Sequence, residues 1–265
     1  MSENKSPKTS EPTPLVRCNM KFVCPIYWTG MARSWICIFV LIFIIVFAYW
    51  FYSLCCSFYQ RAYRLDGINR LKQAGLGFHN YHDIYSSLPK AYTTDEKGRY
   101  LHSWRLSLLP FIESNATYDS VRKEEPWNSE YNRQFHGRGI RCYFSLEDRQ
   151  ENPNTPFTRY QVIVGQDTPF DGTVQRSFSD FERGLTDTFL VVESGAAVHW
   201  MSPLDLPAEA LKNGIVPIEK GAQAVGSRQG GAEVLMADGS VRMLSSNTAT
   251  EILIEMSRLK KSSQP

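Results

Sequence analysis

From Ser34 to Gln60 the chain carries no charged residue: SWICIFVLIFIIVFAYWFYSLCCSFYQ. The apolar centre, Trp35 to Cys56, is 22 residues long. As a helix rising about 1.5 Å per residue it measures roughly 33 Å, against about 30 Å for the hydrocarbon layer of a bilayer. Trp35 stands at one end, and Tyr49, Trp50, Tyr52 and Tyr59 gather at the other. Aromatic rings favour such positions at headgroup level. The pattern predicts a single transmembrane helix over 34–60. An uninterrupted run of Ile, Val, Phe and Leu argues against a core helix of a soluble protein. A secretory signal has a shorter apolar region, about 7–15 residues, close to its N-terminus. Here 33 residues precede the run, so an uncleaved anchor is expected.

The pattern changes at Arg61. Leu65, Ile68, Leu71, Gly75 and Phe78 recur every three or four residues and predict a one-sided apolar stripe on a continuing helix. Arg64, Arg70 and Lys72 are expected to point away from it. Pro89 ends the helix near Leu88. Ser103 is placed to cap a short helix in WRLSLLPFI, with Leu106, Leu109 and Ile112 on one side and Pro110 breaking it. Asn115 to Asn132 reads as loop with helical turns, and Gln150 to Pro156 as a turn-rich connection. Strands are predicted at Tyr160–Val164 and Thr188–Val192. Leu204–Glu219, with Pro207 and Pro217, reads as an inserted loop. In EVLMADGSVRMLS, Asp238-Gly239 separates two apolar runs and predicts a hairpin whose structural turn these two residues form. Thr248 is expected to cap a last helix reaching Lys260. Helix first and sheet afterwards gives an α+β domain with a mainly antiparallel sheet. The organisation expected is a flexible tail over 1–33, the span over 34–60 and a folded domain over 61–265.

Charge changes the picture by exclusion. The chain holds 29 Lys and Arg against 27 Asp and Glu. Beyond residue 60, 24 of the former face 25 of the latter. No basic groove is implied, and no nucleic-acid partner is expected. Orientation is not set by charge, since Arg17, Lys21 and Arg33 precede the span and Arg61, Arg64, Arg70 and Lys72 follow it. Cys18 and Cys24 lack C-x-x-C spacing. Cys142 is the only cysteine beyond the span, which forbids a disulfide within the large domain.

Candidate chemistry is sparse. His79 and His82 share a helical face with Asp83 nearby, but no second ligand motif accompanies them, and no metal or cofactor is expected. Neither Glu193-Ser194-Gly195 nor AVGSRQGGAE meets the nucleophile-elbow or phosphate-loop pattern. No catalytic residue is assigned and an enzyme is not expected. Trp104, Trp127 and Trp200 are either core anchors or, where exposed together, a partner or glycan surface. Trp127, Trp200 and Asp205 are the residues selected as a candidate interaction surface.

The run INRLKQAGLGFHNYHDIYSSLPKAY, followed by SWRLSLLPFIE, PWNSEYN, TRYQVIVG, TDTFLVVESG, VHWMSPLDL and GGAEVLMADGSVRMLS, resembles the DUF1559 family, pilin-like proteins abundant in planctomycete bacteria. The resemblance covers roughly Leu65 to Leu244. It implies a pilin-like fold, in which a helix, transmembrane and then amphipathic, packs on a sheet. It also implies a cytoplasmic N-terminus and a periplasmic C-terminal domain at the inner membrane. The chain departs from the family at the processing site. Gly30 is the nearest glycine, and Trp35 stands where the pilin glutamate belongs. Cleavage after Gly30 and pilus assembly are therefore not expected. The reading is a non-enzymatic, membrane-anchored envelope protein with a structural or interaction role. Its partners would be the lipid bilayer and envelope or pilin-like proteins. Two alternatives stand beside it: a pseudopilin of a type II secretion or type IV pilus-like system, and a membrane-tethered ligand-binding module.

Overall fold

The structure, a computed structural model, describes residues 26–144, 155–228 and 230–260. The tail bearing Cys18 and Cys24, most of the 150–156 connection, and Lys261 lie outside the described residues. Chain contacts divide the molecule into two units, Met1–Ser57 and Phe58–Pro265.

The first helix, α1 (Ile26–Tyr85), is continuous over 60 residues. It begins eight residues earlier than the predicted span, directly after Pro25, and no proline interrupts it before Pro89. Gly30 therefore lies inside the helix, which takes in residues 26–33 of the segment read as a flexible tail. Among the described residues α1 supplies the one helix long and apolar enough to cross a membrane. Its apolar side chains from Trp35 to Phe51 stay open, Phe43 being 69% and Tyr49 75% exposed. The helix stops at Tyr85. Ser86 takes a positive φ of 54° and returns its N–H to the His82 carbonyl.

Within the second unit, Leu71, Ala74 and Phe78 of α1 are buried in the core. Two expectations about this stripe fail. Leu65 is 60% exposed. Arg70, expected on the outer face, is buried: it bonds the Asp66 carboxylate one turn earlier and the Arg141 carbonyl. A guanidinium whose donors all find oxygen can be buried where a lysine cannot.

Two short strands follow, β1 (Tyr92–Thr94) and β2 (Tyr100–Ser103), paired antiparallel. Ser103 accepts the Arg105 N–H and caps α2 (Trp104–Leu108), which Pro110 turns into a 3-10 segment over Leu109–Phe111. Leu106, Leu109 and Ile112 are buried, as their spacing predicts. Then come α3 (Asn115–Ser120), β3 (Phe157–Gln161), β4 (Ile163–Val164), β5 (Phe189–His199), β6 (Leu206–Pro207), β7 (Ile215–Pro217), β8 (Val225–Ser227), β9 (Gly231–Met236), β10 (Val241–Ser245) and α4 (Thr250–Met256).

The main sheet runs β10-β9-β5-β8-β7, with β3 also paired to β5. Every pairing in it is antiparallel except β7 with β8. The fold is α+β, a long N-terminal helix on a mostly antiparallel sheet. Strand β9 is buried on both faces. Leu235 joins the core that holds α1, while Ala232, Val234 and Met236 join a second core with Leu253 and Met256 of α4. Four readings of the sequence differ here, the first being the strand predicted at Tyr160–Val164, which is two, β3 and β4, in different sheets. Strand β5 continues past Val192 to His199. Residues 204–219 are not a loop but hold β6, a 3-10 helix and β7, placing Leu206 and Leu211 in the second core. Helix α4 starts after Ala249, because the Thr248 hydroxyl bonds the Ser245 carbonyl instead of capping it. It ends at Met256, well before Lys260.

Candidate interaction site

The three residues selected as a surface do not form one. Trp200 is wholly buried, and the Asp205 side chain is fully enclosed. Only Trp127 remains partly open.

Asp205 receives donors from three directions. Arg105 Nη2 lies 2.7 Å from Oδ1 and Nη1 3.4 Å from Oδ2, while Trp104 Nε1 (3.2 Å) and the Val162 N–H (3.0 Å) converge on Oδ1. The Arg105 fork also reaches the Tyr160 carbonyl at 2.8 Å and the Ser103 hydroxyl at 2.9 Å. Tyr143 donates its hydroxyl to the Arg105 carbonyl at 2.7 Å. Burial pushes the Asp205 carboxyl above its ordinary range, and Arg105, Trp104 and the Val162 N–H pull it back. Four N–H groups aimed at one carboxylate leave it no role toward solvent. The pair ties α2 to β3 and to the loop before β6.

Trp127 belongs to a ring cluster. Its centroid lies 5.2 Å from His136 and 5.1 Å from His199, and the two imidazoles are 4.3 Å apart. Phe157, half exposed, closes one side at 6.0 Å from His199. His136 Nε2 lies 3.0 Å from the Trp127 carbonyl, and His199 Nδ1 accepts the Met201 N–H at 3.2 Å. That acceptor role puts the proton of neutral His199 on Nε2, a buried atom without a partner. Burial, then His136 and Arg105, push the His199 pKa down to about 4. The ring is neutral at pH 7 and acts as packing.

His79 and His82 both stack on Phe178, at 4.7 and 4.4 Å, and His82 Nε2 accepts the Phe178 N–H. Among the described residues no three His, Cys, Asp or Glu side chains converge as a metal site would require. Cys142 is buried, its thiol pushed up to about 12 by that burial. Glu193 pairs with Arg228 at 2.7 Å, beside a small cleft of about 110 Å³ shared with Tyr63, Arg64 and Glu233. Asp238 accepts the Ser240 N–H and hydroxyl at 2.8 and 2.6 Å, and Gly239 takes φ +82°. That turn is built as the Asp-Gly pair predicts.

Sequence reasoning missed the buried Arg105. Its signal was present: a lone Arg inside an otherwise apolar helical run, with Asp205 an acid inside the predicted loop. Only the fold brings residues 100 positions apart together.

No curated protein and no solved structure matches the chain. A family model described as a protein of unknown function (DUF1559) matches residues 60–142. The match takes in the second half of α1, α2, the Ser103 cap and the Trp127 segment, and stops before β3. Over residues 60–142 the chain is therefore similar to the DUF1559 family.

Proposed function

We propose that this is a membrane-anchored, non-enzymatic protein whose folded unit is held at an envelope membrane for structural or interaction work. One observation carries the reading: the apolar side chains of α1 from Trp35 to Phe51 are covered by nothing among the described residues. Leaving so many large apolar groups in water would cost about 25 cal/mol per Å² exposed. A bilayer is the cover that fits a charge-free helical segment of this length. The non-enzymatic part is supported by the fate of the polar groups. Arg105, Asp205, His82 and His199 are engaged in packing and hydrogen bonds, not aimed into a cleft. A pilin-like role is supported by the order of helix and sheet, but not by the α1 N-terminus, where Gly30 lies inside the helix and Trp35 replaces an acid.

Membrane fractionation tests the anchor. The full chain is expected to stay in the pellet through an alkaline carbonate wash, and a chain lacking residues 35–56 to appear in the supernatant. Extraction of the intact chain by carbonate would end the anchor reading.

A further inference from the structure

Between the last turns of α1 and the α2–α3 segment lies an open cleft of about 440 Å³. Tyr81, Tyr85, Phe111 and Tyr118 wall it, and Asn115 and Asp119 stand at its rim. The rings are set at angles to one another. Tyr81 and Tyr85 are 4.5 Å apart, and Phe111 meets them edge-on at 5.5 and 6.2 Å. Tyr85 is 56% exposed, while Tyr81 and Tyr118 are half-buried.

The polar groups here differ from those elsewhere in the fold. Asp205 is enclosed by four N–H donors, and Asp238 Oδ1 accepts two bonds from Ser240. Among the described residues, the Tyr81, Tyr85 and Tyr118 hydroxyls, the Asn115 amide and the Asp119 carboxylate hold no hydrogen bond within the protein. Three phenols share this space. Burial and then the Tyr85 hydroxyl hold both Tyr81 and Tyr118 above the ordinary phenol range, so both remain donors at neutral pH.

We propose that this cleft binds a carbohydrate, one or two sugar rings of a neutral glycan. The argument is by chemistry. A purely apolar ligand would cover Asp119 and Asn115 without satisfying them, which is costly. An anion would meet the Asp119 carboxylate. A small ammonium ligand suits tyrosine faces, but the Lys123 ammonium already sits 4.2 Å from the Tyr118 ring centre and would repel it. A pyranose offers what remains: a C–H face to lay on a tyrosine ring and hydroxyls to engage the unpaired donors and acceptors at the rim. The inference stands on residues 81–119 alone and does not depend on whether α1 crosses a bilayer.

The test uses the full chain in lipid nanodiscs, since sugar-headed detergents would compete. Cellotetraose, the tetramer of N-acetylglucosamine, and choline are titrated, with tyrosine fluorescence and calorimetry as readouts. The shallow, open site should bind at least one of the two glycans with a Kd of about 0.1–1 mM. Tyr85→Ala should weaken that binding by at least about tenfold, the loss of one ring contact. Asp119→Asn, which keeps the shape, should weaken it by severalfold. Tyr85 is exposed, so unchanged circular dichroism is expected and separates lost binding from lost fold. Absence of binding by both glycans at about 10 mM, binding indifferent to both substitutions, or binding of choline alone would each overturn the proposal.

Discussion

Arg105 and Asp205 show what an enclosed charge demands. Each is fully buried, and each has its partners supplied by segments distant in sequence. Removing one partner leaves the other charged and unsolvated, which typically costs about 3–5 kcal/mol. Asp205→Ala is therefore expected to lower unfolding stability by that amount, read by denaturant titration of the solubilised chain. Arg105→Met combined with Asp205→Leu should recover much of the loss, because the uncompensated charge is gone. A loss under about 1 kcal/mol for Asp205→Ala would mean that solvent reaches the site. His199 gives a pH dependence of definite sign. Its pKa is about 4 in the fold and near 6.5 unfolded. Between those values the unfolded chain binds more protons, so stability falls as pH drops from 6.5 toward 4. Burial lowers the His102 pKa as well, adding to the same slope. The His199 share is about 1–2 kcal/mol, the full shift being discounted because the ring is half open to screening solvent. Denaturation midpoints at pH 7 and pH 4.5 should converge by that amount in His199→Leu. An unchanged pH slope in that variant would remove His199 as its source.

Among the elements, those governed by local rules were the ones the sequence disclosed. The Ser103 cap, the Pro110 break, the Asp238-Gly239 turn and the end of α1 before Pro89 each depend on residues within a few positions. Leu71 and Phe78 follow the helical period into the core, but Leu65 does not, because two three-residue steps back from Leu71 carry it about 120° around the helix, away from the buried face. Strand β5 was read only to Val192. Beyond it, Glu193-Ser194-Gly195-Ala196-Ala197 lacks the branched residues that mark a strand, and its pairing comes from β3 and β8. The candidate site was less legible still. Trp200 and Asp205 looked like surface chemistry in sequence, and burial decided otherwise. The tyrosine cleft combines positions from α1, the 3-10 segment after α2 and α3, which no single window of sequence contains. Close approach of β5 and β8 also explains one glycine. A Cβ at Gly226 would lie 2.8 Å from the Ser194 carbonyl carbon and 2.9 Å from the Gly195 nitrogen. These are backbone atoms, and they cannot yield as the end of a side chain can. Gly226→Ala should cost about 1–3 kcal/mol. Gly137→Ala, with open space around the new methyl, should be within about 0.5 kcal/mol of neutral. Equal effects at the two sites would show that the strands can separate to admit a methyl.

At the scale of the whole molecule, the proposed anchor predicts a definite side of the membrane for the folded unit. Cations near the apolar segment are balanced, with Arg17, Lys21 and Arg33 on one side and Arg61, Arg64, Arg70 and Lys72 on the other. By the positive-inside rule this distribution slightly favours keeping the folded unit inside. Two facts weaken that bias. Arg70 is already neutralised by Asp66 in the helix and buried. The unit beyond residue 60 carries 24 cations against 25 anions, and large domains cross largely regardless of charge. The resemblance to pilin-like proteins is the ground on which we expect an N-terminus inside and a folded unit outside. Protease added to intact spheroplasts should remove a C-terminal tag and spare an N-terminal one. If the N-terminal tag is lost and the C-terminal tag survives until the cells are lysed, the chain is inserted the other way. The cations after Gln60 would then outweigh the family likeness. Replacing Arg61 and Arg64 by Gln should in that case invert part of the population, whereas in the expected orientation it should leave the tag pattern unchanged.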